Sequence, residues 1–223
     1  MSSTTAPLTL YIGEKNISSW SMRGFLALDA KGLKFEERAI SLRQDKDRSR
    51  RRAVSPTGKV PVLHHGERVV PDSLAILEYV EETFPPPEHP ALWPSDAGER
   101  AHARWLAAAM HSGFTELRKG MSFNLCFVPE PPAAPPEALE EAAEMLRLWE
   151  EALRRRKGGG PYLFGPFGGA DVMYAPAVVR LRAFRVPSSS TTRAAAYMGA
   201  VLEHPSVRRW LDAARALPPA PTY

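Results

Sequence analysis

The spacing of hydrophobic residues changes along this chain. Near the start, Leu8-Thr9-Leu10-Tyr11-Ile12 is a short apolar, β-prone run closed by Gly13, the pattern of a buried strand. Behind the serines of Asn16-Ile17-Ser18-Ser19-Trp20-Ser21, Met22, Phe25 and Leu26 recur at helical spacing, and Lys31-Gly32 supplies a stop. Phe35 to Ile40 alternates as a second strand, so the opening predicts strand, helix, strand with a parallel pair. The charged segment from Arg43 to Ser55 predicts a short or irregular surface helix. Val60-Pro61-Val62-Leu63 and Glu67-Arg68-Val69-Val70 predict a hairpin around His65-Gly66. Pro71-Asp72-Ser73 then opens a helix with Leu74, Leu77, Val80 and Phe84 on one face.

Pro85-Pro86-Pro87 and the stretch to Pro94 read as a stiff connector. Everything after it carries the helical period. Trp105, Ala108, Ala109 and Ser112 predict one helix. After the proline-rich loop Pro129 to Pro136, a long amphipathic helix carries Leu139, Ala142, Ala143, Leu146, Trp149 and Leu153, and Gly158-Gly159-Gly160-Pro161 ends it. A helix from Gly169-Ala170-Asp171 carries Val172, Ala175 and Val179, with Pro176 as a kink, and shorter helices follow over 191–203 and 205–216. No internal repeat is found. The pattern thus divides the chain into an α/β domain (1–85), a linker (86–94) and an all-helical domain (95–223).

Composition narrows the function classes. The 223 residues are 44% hydrophobic and 24% charged, as in a soluble globular protein. The net charge is +4. Its densest basic runs, Arg48-Ser49-Arg50-Arg51-Arg52 and Arg154-Arg155-Arg156-Lys157, read as solvated faces, because no aromatic residue is interleaved to stack on bases. A nucleic-acid partner is not expected. Cys126 is the single cysteine, so no intrachain disulfide forms, and the six histidines show no metal-ligand spacing. No apolar run approaches the roughly 20 residues of a membrane span, and Leu8 to Ile12 is too short for a signal peptide. A cytoplasmic protein is expected, and the sequon Asn16-Ile17-Ser18 carries no sugar there.

Three features carry chemistry, each beside a plainer structural reading. The first is Ser18-Ser19-Trp20-Ser21 before Arg23. A helix N-terminus offers unpaired N–H groups and about half a positive charge, which favours an anion such as a thiolate. A hydroxyl there either stabilises that anion or simply caps the helix. The second is Lys59-Val60-Pro61. Pro61 is either an ordinary edge proline or the site of a cis bond that turns the Val60 N–H and C=O toward a peptide ligand, with Lys59 meeting a carboxylate. The third is Asp72-Ser73. Either the pair caps the helix, or Asp72 holds an ammonium while Ser73 and the helix N–H groups hold a carboxylate.

In this order, before a helical half, the three motifs resemble the glutathione transferases over nearly the whole chain. The first half looks like their thioredoxin-like domain and the second like their helical domain. Ser18-Ser19-Trp20-Ser21-Met22-Arg23 resembles the serine motif of the zeta and tau classes, closest to bacterial members with a serine–tryptophan variant. Gly58 to Leu63 resembles their cis-proline segment, and Asp72-Ser73 their acidic-residue–serine pair. The resemblance implies that Ser18 donates a hydrogen bond to the glutathione sulfur, with Ser19 as the alternative donor. It implies that Trp20 lines the pocket and that Gln44, ahead of Arg43 and Lys46, meets the glycine carboxylate. Val60 and Pro61 would hold the peptide backbone, Lys59 a carboxylate, and Asp72 and Ser73 the γ-glutamyl end. The thiolate would attack an electrophile held between the two domains, around 105–127 and Pro218 to Tyr223 of the helical one.

The resemblance further implies glutathione as co-substrate, no metal, a homodimer and a detoxifying transferase. A glutathione-dependent isomerase and a non-catalytic interaction module stand as alternatives, and Trp20 and Met22 depart from the zeta pattern. A thiol–disulfide oxidoreductase is disfavoured because Ser18 to Ser21 contains no cysteine. Ala170-Asp171 with Pro176 resembles the family's capping box, with Gly168 where a Ser or Thr would stand, so Asp171 is read as structural. Cys126 and His111 are read as packing residues.

Overall fold

The computed structural model of the chain describes residues 6–43, 47–187 and 192–219. It divides into two compact units, residues 1–92 and 93–223.

The first unit runs β1 (Leu8–Ile12), α1 (Ser19–Ala30), β2 (Glu36–Ala39), α2 (Asp47–Val54), β3 (Val62–His65), β4 (Arg68–Val70) and α3 (Ser73–Thr83). The strands form one sheet in the order β2-β1-β3-β4. β1 pairs in parallel with β2, Leu10 opposite Glu37, and antiparallel with β3, Tyr11 opposite Val62. β3 continues into β4 with Leu63 opposite Val70, around a turn in which Gly66 takes φ +60°. Leu10, Val62 and Leu63 are fully buried, and Met22, Leu26, Ile76, Leu77 and Val80 of α1 and α3 complete the core. β2 is an edge strand whose four residues are exposed, with buried Ile40 immediately after it. Both α2 and β3 start later than the sequence pattern suggests, and Val60-Pro61 lies ahead of the ladder.

A buried ion pair closes this unit. The Lys31 ammonium, fully buried, donates to Glu81 Oε2 at 2.7 Å and to the Pro90 carbonyl at 2.8 Å. Glu81 Oε2 also accepts the Leu92 N–H at 3.0 Å.

The second unit is helical: α4 (Ala97–Ser112), α5 (Thr115–Gly120), a 3-10 turn (Phe123–Phe127), α6 (Pro136–Arg155), α7 (Gly169–Ala183), α8 (Arg193–Glu203) and α9 (Pro205–Arg215). α5 and the 3-10 turn are too short to leave a periodic signal in the sequence. α7 is the central helix, buried on every side from Gly169 to Leu181, and it continues through Pro176. Trp149 of α6 meets Tyr174 and Tyr197 edge-on, with ring centroids 5.4 and 5.1 Å apart.

Two helix faces differ from the pattern reading. α4 buries Ala103, Leu106, Ala107 and Met110, while Trp105 is 52% exposed and stacks on His102. α6 buries Ala138, Met145 and Leu148 beside the predicted Ala142, Trp149 and Leu153, and leaves Leu139 exposed. Runs of alanine offer several helical phases of similar hydrophobicity, so the pattern alone does not fix which face is buried.

At the start of α7 the Asp171 carboxylate accepts the Gly168 N–H at 2.9 Å and the Leu163 N–H at 3.2 Å. Gly168 has no side chain to return a bond, so the cap is one-sided. Burial pushes the Asp171 pKa up to about 6, against the backbone N–H bonds that pull it down.

Candidate active site

The chain leaves β1 at Ile12 and turns back through Gly13 to Ser18. The Ile17 and Ser18 N–H groups both donate to the Glu14 carbonyl, at 3.0 and 2.9 Å. The Glu14 carboxylate accepts the Ser41 hydroxyl at 2.6 Å and the Leu42 N–H at 2.9 Å, which ties this loop to the chain leaving β2.

Ser18 is thereby set as the N-cap of α1, with φ −92° and ψ 89°. Its Oγ accepts the Ser21 N–H at 3.2 Å, and its hydroxyl donates to Ser21 Oγ at 2.8 Å. Ser21 Oγ also accepts the Gly13 N–H at 3.1 Å. Ser19 is the first helical residue and is buried. No acidic residue sits in the first turn of α1, so no side chain there offsets the positive end of the helix field. Buried Arg23 adds a positive charge in the next turn, its guanidinium 4.2 Å from the centroid of half-buried Trp20.

The second group precedes β3. A turn with Gly58 at φ +66° leads into exposed Lys59, whose N–H donates to Thr57 Oγ1 at 3.2 Å. Val60 is half-buried, and among the described residues no hydrogen bond engages its N–H or C=O. The Val60–Pro61 peptide is cis, and Pro61 is buried.

The third group opens α3. Asp72 is its N-cap, and Oδ1 accepts the N–H groups of Leu74 at 2.8 Å and Ala75 at 3.0 Å. Ser73 is 1% exposed, and its Oγ is buried with no hydrogen-bond partner among the described residues. A buried hydroxyl without a partner is costly and calls for an explanation.

Strand register relates the three groups. β1 ends at Ile12, and Tyr11 pairs with Val62, the first residue of β3. Leu63 pairs with Val70, the last residue of β4. The chain entering α1, the chain entering β3 and the chain entering α3 therefore all meet the same end of the sheet. Ser18, Ser19, Trp20, Lys59, Val60, Pro61, Asp72 and Ser73 belong to those three segments. Gln44 and Lys46 lie outside the described residues, as do 220–223 of the C-terminal stretch.

Half-buried His111 and Cys126 belong to the second unit. Burial pushes the Cys126 thiol up to about 12, so it is no nucleophile at neutral pH. Among the described residues no group of three or more His, Cys, Asp or Glu could hold a metal ion. The sequence pattern places Ser21 only within the serine cluster and Gly13 only at the end of β1; the spacing Ser18-x-x-Ser21 is the signal for the serine pair.

Two family models match the chain. Residues 14–88 match the N-terminal domain of glutathione S-transferase, and residues 99–213 match its C-terminal domain. A curated relative, glutathione S-transferase 1 of Dianthus caryophyllus, is 34% identical over 182 residues, covering 80% of this chain and 79% of its own. A crystal structure of a glutathione transferase homologue from Burkholderia, with bound glutathione, superposes with a TM-score of 0.69 at 30% identity, covering 95% of this chain and 99% of that one. The holo structure of a maleyl pyruvate isomerase, a bacterial zeta-class protein, gives a TM-score of 0.71 at 27% identity, over 93% of this chain and 98% of that one.

Proposed function

Since the chain belongs to the glutathione S-transferase family, we infer that it is an enzyme that holds glutathione at this end of the sheet and activates its sulfur for attack on an electrophilic small molecule. Ser18 donates a hydrogen bond to the sulfur, and the field of α1 adds to that stabilisation. A lower thiol pKa gives more nucleophile at neutral pH. Ser19 is the alternative donor, one position along, and Trp20 walls the sulfur. The Val60 N–H and C=O pair with the peptide backbone of glutathione as an added strand would, with Pro61 fixing that segment. Lys59 and Gln44 meet its carboxylate groups. Asp72 holds the γ-glutamyl ammonium, and Ser73 with the first N–H groups of α3 holds the carboxylate beside it.

The observation that carries this reading is the meeting of three differently equipped chain segments at one sheet end. Among the described residues, one has a capping hydroxyl on a helix with no acidic first turn, one a peptide pair that no hydrogen bond engages, and one a buried hydroxyl without a partner. A carboxylate at Ser73 would satisfy that hydroxyl.

The same proposal includes a detoxifying, cytoplasmic homodimer whose helical unit, around residues 105–127, supplies the electrophile's binding surface. Among the described residues no helix is long and apolar enough to cross a membrane. A glutathione-dependent isomerase is the second reading, favoured by the likeness to the zeta-class isomerase.

Thiolate absorbance of bound glutathione, followed across pH in the wild type, Ser18→Ala and Ser19→Ala, tests the reading. A thiolate at neutral pH that is lost in Ser18→Ala alone is the expected result. Loss in Ser19→Ala alone moves the role by one residue, and a wild type that binds no glutathione overturns the proposal.

A further inference from the structure

We propose that Ser21 is a positioning residue that sets how strongly Ser18 donates to a bound thiolate. The inference rests on the preceding reading of Ser18.

The two hydroxyls share one contact, 2.8 Å between oxygens, and Ser21 has no solvent exposure. In the structure Ser18 donates inward, so Ser21 Oγ receives both that proton and the Gly13 N–H. When an anionic sulfur reaches the start of α1, the Ser18 hydroxyl turns its proton outward to the sulfur. Ser18 Oγ keeps the Ser21 N–H at 3.2 Å and now accepts the Ser21 hydroxyl proton across the same contact. No covalent bond breaks, and only the two O–H directions reverse.

In the bound state Ser18 thus receives two hydrogen bonds while giving one. Hydrogen bonds in such a chain polarise one another, so Ser21 strengthens the bond from Ser18 to sulfur. Gly13 anchors the rear of the chain. A Cβ on Gly13 would lie 2.5 Å from Leu42 Cδ1 and 3.1 Å from Ser18 Cβ, so a side chain there would push Ser18 or Leu42 away. The sulfur itself never touches Ser21.

The test measures two quantities in the wild type, Ser18→Ala, Ser21→Ala and Ser21→Cys. One is the thiol pKa of bound glutathione, from thiolate absorbance. The other is the Kd for S-methylglutathione, which has no thiol to ionise. Ser21→Ala is expected to raise the bound-thiol pKa by roughly 0.5 to 1, the worth of one hydrogen bond. Its Kd for S-methylglutathione should stay within about twofold of wild type. Ser21→Cys keeps the side chain's shape with a weaker donor, gives a smaller shift, and carries the test if the alanine variant does not fold. An unmoved pKa in both Ser21 variants beside a raised one in Ser18→Ala overturns this inference alone. So does a pKa that moves only together with a large loss of S-methylglutathione affinity. A wild type without a thiolate signal removes the Ser18 reading, and this inference with it.

Discussion

Gly24 of α1 passes Pro61 so closely that a Cβ on the glycine would lie 3.0 Å from Pro61 Cβ. The same Cβ would sit 3.5 Å from Leu10 Cδ1. The helix that carries Ser18 is thus pressed against the segment that carries Val60, and only a hydrogen atom fits between them. Gly24→Ala gains helix propensity, about 1 kcal/mol on an exposed face. Here overpacking opposes that gain, at about 1–3 kcal/mol. The expected net result is an unchanged or lowered unfolding free energy, with glutathione affinity reduced as Pro61 is displaced. Denaturant unfolding and glutathione titration measure both, and a variant that is both more stable and binds normally refutes the contact's role.

Ser73→Ala and Asp72→Ala separate binding from capping. Ser73 Oγ makes no internal hydrogen bond among the described residues, so its removal should leave stability within about 0.5 kcal/mol of wild type. Glutathione affinity should fall roughly tenfold, as for one lost hydrogen bond to a charged group. Asp72→Ala removes two cap bonds and should cost about 1 kcal/mol of stability as well. Equal binding by wild type and Ser73→Ala would return Ser73 to a purely structural place.

Asp171 links stability to pH. Its pKa is raised from 3.8 to about 6 by burial. Between those values the native chain holds a proton that the unfolded chain has released, so stability falls as pH rises. The loss approaches about 3 kcal/mol above pH 6 and is absent below about pH 4. In Asp171→Asn this group no longer titrates. The stability difference between wild type and variant should therefore narrow as pH rises through that window. Parallel pH profiles from urea titrations would contradict it.

Glu81→Ala leaves the Lys31 ammonium buried without its carboxylate, and the Leu92 N–H without an acceptor. Breaking a buried pair from one side costs about 3–5 kcal/mol. Urea unfolding should show at least half that loss, and a change below about 1 kcal/mol would mean that the Lys31 ammonium reaches water.

How far the sequence led depended on how the signal was written. Buried strands and long helices were legible from period and punctuation, because Leu10, Met22 and Val80 sit where the pattern asks for them. β2 was legible only through its flanks, Phe35 and Ile40, since Glu36–Ala39 offers no apolar face. α4 was found but turned the wrong way, because Trp105 outweighed a stripe built mostly from alanine. At the candidate site the three motifs could be named from residue type and order. What could not be read was how their side chains meet. That Ser73 is buried without a partner among the described residues, and that Ser21 stands behind Ser18, depend on side-chain direction, which spacing does not encode.

The β3–β4 turn offers a use of its own. Gly66 and Glu67 are exposed at the opposite end of the sheet from Ser18. The four residues of β3 separate the two ends by roughly 13 Å. A fluorophore or short affinity tag inserted between Gly66 and Glu67 would therefore lengthen a loop without entering the ladder. It would give a labelled protein in which occupancy at the far end can be followed on the bench while the groups being measured keep their native surroundings.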